Sequence, residues 1–249
     1  MAFGGGLFFA ITIRAAAALV LGSVAGLVHS AVAQESYVIE LFTSQGCSHC
    51  PRADRWLASV ARNPGVVAVS FPVDIWDYIG WRDTLACPDF TARQKAYAAA
   101  KGDRHVYTPQ VIINGIAAAR GGDEAEIAEA MSKANGFEGA MTVPMRISNT
   151  NGNYSVEIDD GSNGPASIIA LRVSRIATVQ ILRGENAGKS LTYTNVVRMI
   201  HKIGEWTGKR AVFDLPGSPQ DGEGFVVLAQ KGTPERPGAI VAAVKSGGL

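Results

Sequence analysis

Tyr37-Val38-Ile39-Glu40-Leu41-Phe42-Thr43-Ser44-Gln45-Gly46-Cys47-Ser48-His49-Cys50-Pro51 is the stretch that decides the fold. The apolar run Tyr37 to Phe42 predicts a strand, and Thr43 to Gly46 a polar loop. Cys47-Ser48-His49-Cys50-Pro51 then opens a helix that runs to about Arg62. Pro51 is tolerated there because the first turn of a helix makes no use of the missing N–H. Trp56, Leu57, Val60 and Ala61 recur at helical spacing and give the helix a face to bury. Asn63-Pro64-Gly65 ends it. Val66 to Val73 is almost continuously apolar, as a strand covered on both faces requires. Strand, helix, strand in that order predicts a parallel, right-handed crossover.

Two cysteines separated by two residues at a helix start can bridge without distorting the backbone. The free N–H groups and positive dipole end of the helix favour an anion at Cys47, so its thiolate, the reactive form, gains population. A protonated His49 between the cysteines adds positive charge beside Cys47. Stabilising the reduced form makes the disulfide a stronger oxidant, so an oxidising pair is expected. The alternative for the pair is a structural disulfide or half of a metal site.

Downstream, Asp74 to His105 reads as an insertion with an aromatic cluster, Trp76, Tyr78 and Trp81, and a helix from Asp89 to Lys101. Thr108-Pro109 precedes a strand, Gln110 to Ile113. A cis peptide there would turn backbone groups toward the cysteines, where a substrate strand can pair; an ordinary strand-start proline is the alternative. Asn114-Gly115 predicts a two-residue hairpin turn into a fourth strand, Ile116 to Arg120. Gly121-Gly122-Asp123 caps a last helix, Glu124 to Ala134. The small residues Gly136 to Ala140 place a boundary. Beyond it, Val143, Met145 and Ile147, then Tyr154, Val156 and Ile158, alternate with polar residues between turns, which predicts an antiparallel β-sandwich. Leu191 to Ile203 is ambiguous between strand and helix.

At the N-terminus, Arg14 precedes a short apolar run and Ala31-Val32-Ala33, the pattern of a secretory signal over residues 1–33. The run is too short and too interrupted for a permanent anchor. A periplasmic or secreted chain without a membrane span after signal removal is therefore expected. The net charge is +1 at pH 7, with 23 basic and 22 acidic residues. No nucleic-acid footprint is visible in that balance. Three cysteines, Cys47, Cys50 and Cys87, are too few for a stapled framework, which points to a reactive close pair.

These residues resemble the thioredoxin superfamily, and Cys47-Ser48-His49-Cys50 is similar to the active site of periplasmic DsbA-type oxidases. Ile39 to Cys47, Phe71 to Tyr78, Tyr107 to Gln110, and Arg183 to Lys189 through Asn195 to Arg198 resemble an uncharacterised secreted family, a domain of unknown function with a thioredoxin-like fold. The resemblance implies a thioredoxin-like α/β domain with a helical insertion over 34–138 and an all-β, sandwich-like domain over 139–249. It also implies Cys47 as nucleophile, Cys50 as resolving thiol and Pro109 as the cis-proline. Gly46 departs from it, standing where thioredoxin has tryptophan.

Other candidates carry two readings each. Glu40, beneath the expected disulfide, either moves protons to or from Cys50 or pairs with a basic residue. Asp74 and Trp76, with Thr108, either bind substrate beside the pair or belong to the packing under the insertion. Cys87 is a third redox thiol or a small core residue. Arg183, Glu185, Asn186, Asn195 and Arg198 either reach the cleft or brace an interface. His105 and His201 have no ligand spacing. The expected activity is thiol–disulfide exchange on protein substrates with a redox partner and no organic cofactor. The competing functions are copper or zinc binding through the thiolates and a non-enzymatic envelope adaptor.

Overall fold

The computed structural model describes residues 1–2 and 36–249, so the expected signal segment lies outside the described residues save for its first two positions. From Tyr37 the order is β1 (Tyr37–Thr43), α1 (Cys50–Val60), β2 (Val66–Pro72), a short 3-10 turn (Asp77–Ile79), α2 (Pro88–Lys101), β3 (Gln110–Ile113), β4 (Ala117–Arg120) and α3 (Glu124–Asn135). Seven strands follow: β5 (Met145–Thr150), β6 (Asn153–Ile158), β7 (Ala166–Gln180), β8 (Ser190–Trp206), β9 (Ala211–Asp214), β10 (Glu223–Thr233) and β11 (Arg236–Lys245). The chain is a mixed α/β fold built on a large sheet with few helices.

β1 and β2 pair in parallel, Tyr37 opposite Val66, as the crossover α1 demands. β3 runs antiparallel to β1, and a turn of three residues rather than the expected two, Asn114-Gly115-Ile116 with φ of 50° and 71° at the first two, returns the chain into β4 at Ala117. Asp123 caps α3 by accepting from the N–H groups of Ala125 and Glu126, both at 3.1 Å. The stretch left ambiguous by pattern, 191–203, is strand throughout β8.

The sheet does not stop at the expected boundary between 138 and 139. Its order is β11-β10-β7-β8-β2-β1-β3-β4, so four strands of the second half continue the sheet of the first. One apolar core crosses the same line, joining Val38, Phe42, Phe71 and Phe90 to Ile169, Leu171, Val226 and Ile240. α2 lies on that face. On the other face, α1 and α3 cover Ile39, Leu41, Val111 and Ile113, while the three-stranded sheet β5-β6-β9 covers β7, β10 and β11. The second half is thus free of helices but packs as part of a shared sheet rather than as a separate sandwich. The reason is two-sided burial: β7, β10 and β11 each present apolar residues to both faces of the sheet.

Alternation along β1 sends Ile39 and Leu41 to the α1 face and Glu40 to the α2 face, where it is fully buried. Arg93 Nε donates to Glu40 Oε1 at 2.7 Å, and the Tyr97 hydroxyl to Glu40 Oε2 at 2.5 Å. Arg93 Nη2 donates to Tyr97 and to Gln230 Oε1, both at 2.9 Å, and Gln230 Nε2 donates to the Tyr97 hydroxyl at 2.7 Å. β1, α2 and β10 are tied by one satisfied network. Arg93→Met would leave the Glu40 carboxylate buried and unpaired, so urea unfolding should show a loss of about 3–5 kcal/mol. Adding Glu40→Gln should recover much of it; no recovery in the double variant would show that the ion pair is not what Arg93 contributes.

Candidate active site

α1 begins at Cys50 with His49 at its N-cap and Pro51 in the first turn. Its buried stripe is Cys50, Ala53, Asp54 and Leu57. Trp56, Val60 and Ala61 are partly buried against the same core, so the apolar face expected from sequence is real but begins a turn earlier, at the cysteine.

The loop before Cys47 is held from two sides. From the inserted region, Asp83 Oδ2 accepts from the Gln45 N–H at 2.8 Å, and Trp81 Nε1 donates to Gln45 Oε1 at 2.8 Å. From the loop between β7 and β8, Asn186 Nδ2 donates to the carbonyls of Gln45 and Cys47, both at 2.9 Å. Glu185 Oε2 accepts from the Ser48 N–H at 3.2 Å. Gly46 is explained by its neighbour: a Cβ there would lie 3.2 Å from Trp76 Cβ. Trp76 therefore occupies the ground beside the cysteines, and its Nε1 donates to Thr108 Oγ1 at 2.7 Å.

Both cysteines are free thiols and differ sharply. Cys47 retains 6 % exposure and its Sγ lies 3.6 Å from the Thr108 carbonyl oxygen, while Cys50 is fully buried. The Cys50 thiol's hydrogen bond pulls the Cys47 pKa down to about 6 against the effect of burial, helped by Thr108 and the backbone N–H groups of His49 and Cys50. Burial pushes Cys50 well up, and the neighbouring Cys47 and Asp54 push it further. The His49 imidazole, expected to charge the site, is exposed, and its charge bears on Glu185. Glu185 is held below the usual carboxylate range chiefly by Ser48.

Thr108–Pro109 is a cis peptide. Pro109 is buried against the turn after β4; a Cβ on Gly121 would lie 2.7 Å from Pro109 Cβ and 2.9 Å from Ala53 Cβ, so only glycine lets these segments meet. Cys47, Cys50, Thr108, Pro109 and Trp76 are thus brought together. Glu40 is not: it points to the opposite sheet face, because α1 packs on Ile39 and Leu41. Asp74 turns to α2, where the Thr91 hydroxyl donates to its Oδ1 at 2.6 Å. Cys87, partly buried, packs on the α2-side core. Arg183 and Arg198 are exposed, whereas Glu185, Asn186 and Asn195 bond to the first half. Among the described residues, no three His, Cys, Asp or Glu side chains gather as a metal site.

Three functional candidates went unread in the sequence. Asp54 is 4 % exposed, and neither carboxylate oxygen has a hydrogen-bond partner. Burial raises its pKa to about 8; the nearby Thr43 hydroxyl lowers it only in part, without completing a hydrogen bond, and Cys47 adds to the rise. Asp83 of the inserted region, itself raised by burial to about 6, adds to the rise at Asp54. Tyr193 of β8 is 1 % exposed with an unpartnered hydroxyl. The signal for Asp54 was its place four residues after Cys50, on the helix stripe that carries the cysteine.

Three comparisons bear on the chain. A segment is 40% identical over 37 residues to a protein of Archaeoglobus fulgidus described as "Probable Thioredoxin"; it is 15% of this chain and spans 41% of the length of that relative. The crystal structure of a protein from Agrobacterium tumefaciens is similar with a TM-score of 0.76 and 33% identity, over 85% of this chain and 93% of that one. The pattern of the family described as "Protein of unknown function (DUF1223)" matches residues 38–230, and the chain belongs to that family.

Proposed function

We propose that this chain is an exported thiol–disulfide oxidoreductase with a thioredoxin-like site, acting on protein thiols or disulfides. The observation that carries the reading is the asymmetry of the pair: Cys47 with a sliver of exposure and a thiol pKa near 6, Cys50 fully buried with a raised one. A nucleophile and a resolving thiol need that division of labour. The signal-like N-terminus supports export, and the short thioredoxin match supports the site type.

In the reaction, the Cys47 thiolate attacks a substrate disulfide. A mixed disulfide forms and one substrate thiolate leaves. Cys50 gives its proton to a carboxylate, attacks Cys47 Sγ, closes the Cys47–Cys50 bond and releases the second substrate thiolate, which takes up a proton. The dithiol is oxidised by two electrons and the substrate disulfide reduced; the reverse order oxidises a substrate dithiol. Asp54 replaces Glu40 as the proton acceptor, since it lies on α1 with Cys50 and carries no hydrogen bond that would hold it ionised. Trp76 and Thr108 border the entry to Cys47. A thiolate stabilised to about pH 6 favours the reduced pair and so an oxidising potential.

Alkylation of Cys47 followed against pH should titrate near 6, and Cys50→Ser should accumulate mixed disulfides on Cys47 when challenged with an oxidised peptide. A midpoint of roughly 8.5, or no adduct, would remove the redox reading. Asp54 also links stability to pH. Its folded pKa of about 8 exceeds the unfolded value of 3.8, so the native state keeps a proton that the unfolded chain releases. The favourable contribution is complete below about pH 4 and is lost as pH rises to 8. Asp54→Asn should therefore gain on the wild type by a few kcal/mol in urea unfolding between pH 5 and 8. A constant difference across that window would contradict the raised pKa.

A further inference from the structure

The proton acceptor sits in unusual company. Asp54 Oδ1 and Oδ2, Thr43 Oγ1 and the Tyr193 hydroxyl are all buried without hydrogen-bond partners. Native interiors seldom leave such groups unsatisfied, and clusters of them mark working sites. They are also complementary: a charged carboxylate only accepts, and a phenol or alcohol can donate. β8, which carries Tyr193, packs on α1, which carries Asp54, and both side chains are buried. Of the charges that reach Tyr193, Asp54 acts most strongly, followed by Asp83, Cys50 and Cys47.

We propose that Tyr193 is a positioning residue for the proton transfer: its phenol, held by β8 over α1, closes onto the Asp54 carboxylate as donor when that carboxylate is charged. The inference rests on the thiol–disulfide reading above and adds a residue from the second half of the chain to it. A tyrosine suits the task because its hydroxyl stays neutral; burial first, then the neighbouring acidic groups, push its own ionisation up. It can donate to Asp54 without competing for the proton. The other groups facing Asp54 are Thr43 of β1, Asp83 of the inserted region, and Cys47, Cys50 and Arg55 around α1. Of these, Asp83 and Cys47 disfavour charge on Asp54, and Arg55 is a weaker favourable influence than Thr43. A second neutral donor is what the site lacks when the proton leaves Cys50 for Asp54 and must leave Asp54 in turn.

Tyr193→Phe keeps the ring and deletes the donor. The carbon-13 signal of the Asp54 carboxyl should titrate about one unit higher in this variant than in the wild type, the size expected for one lost hydrogen bond to a charged group. The pH profile for resolving a mixed disulfide on Cys47, with oxidised glutathione as the probe, should move upward in parallel. A tyrosine that only fills space would alter the unfolding midpoint and leave both profiles in place. An unmoved Asp54 titration in Tyr193→Phe, in a wild type that does resolve mixed disulfides, overturns this inference alone. A wild type that forms no mixed disulfide defeats the redox reading and this inference with it.

Discussion

The seam between β2 and β8 is the constraint on which the site depends. Only Ser70 and Val196 are in parallel register across it, so the backbone ladder there is minimal. Side chains complete the joint: the Ser70 hydroxyl donates to the Thr194 carbonyl at 2.9 Å, and Asn195 Nδ2 to the Ala68 carbonyl at 2.9 Å. Asn195 has φ of 49°, a left-handed conformation that asparagine tolerates better than most residues. At this joint β8 meets the first half. From it the chain carries Tyr193 back toward α1 and, on the far side of Ser190, Glu185 and Asn186 to the cysteine loop. If the seam slipped by one residue, every β8 side chain would exchange faces.

Two buried carboxylates on opposite sides of this sheet are treated in opposite ways. Glu40 has a guanidinium and a hydroxyl on its oxygens, and Gln230 completes the network around them. That arrangement gives both carboxylate oxygens a donor and anchors α2. Asp54 has nothing comparable, and burial alone dominates its proton affinity. A fully satisfied charge is poorly suited to exchange protons, because each transfer would break the network. An unsatisfied one is costly to the fold but free to change state. Structure and chemistry have been assigned to different faces of the same strands.

Much of the first half could be read from local spacing. The strand before Cys47, the helix opened by the cysteine pair, the Asn114-Gly115 turn and the Asp123 cap all follow from residues within a few positions of one another. What local spacing could not supply was the face on which each helix packs. Alternation along β1 separates Glu40 from Ile39 and Leu41, but nothing in the strand tells which set α1 will cover. Glu40 is therefore read from the sequence as a proton carrier, and Asp54 goes unread. The second half hid its role for a related reason. Alternating runs such as Met145 to Ile147 describe an antiparallel sheet, yet they do not record that β8 will pair with β2 across more than a hundred residues. Glu185 and Asn186 stood out as polar residues, but the partners they found, Ser48, Gln45 and Cys47, are visible only once that pairing exists.

Burial accounts for Asp54's state. On an isolated α1 its carboxylate would lie along the edge of the helix with water in reach, and an ordinary acid would result. Burial is the first cause of its raised pKa, and β8 packing on α1 contributes to that burial. The second half thus does more than add sheet. β8 packs on α1, and burial there raises the Asp54 pKa to about 8. The loop that carries Cys47 likewise takes its bonds from both halves, from Asp83 and Trp81 on one side and from Glu185 and Asn186 on the other.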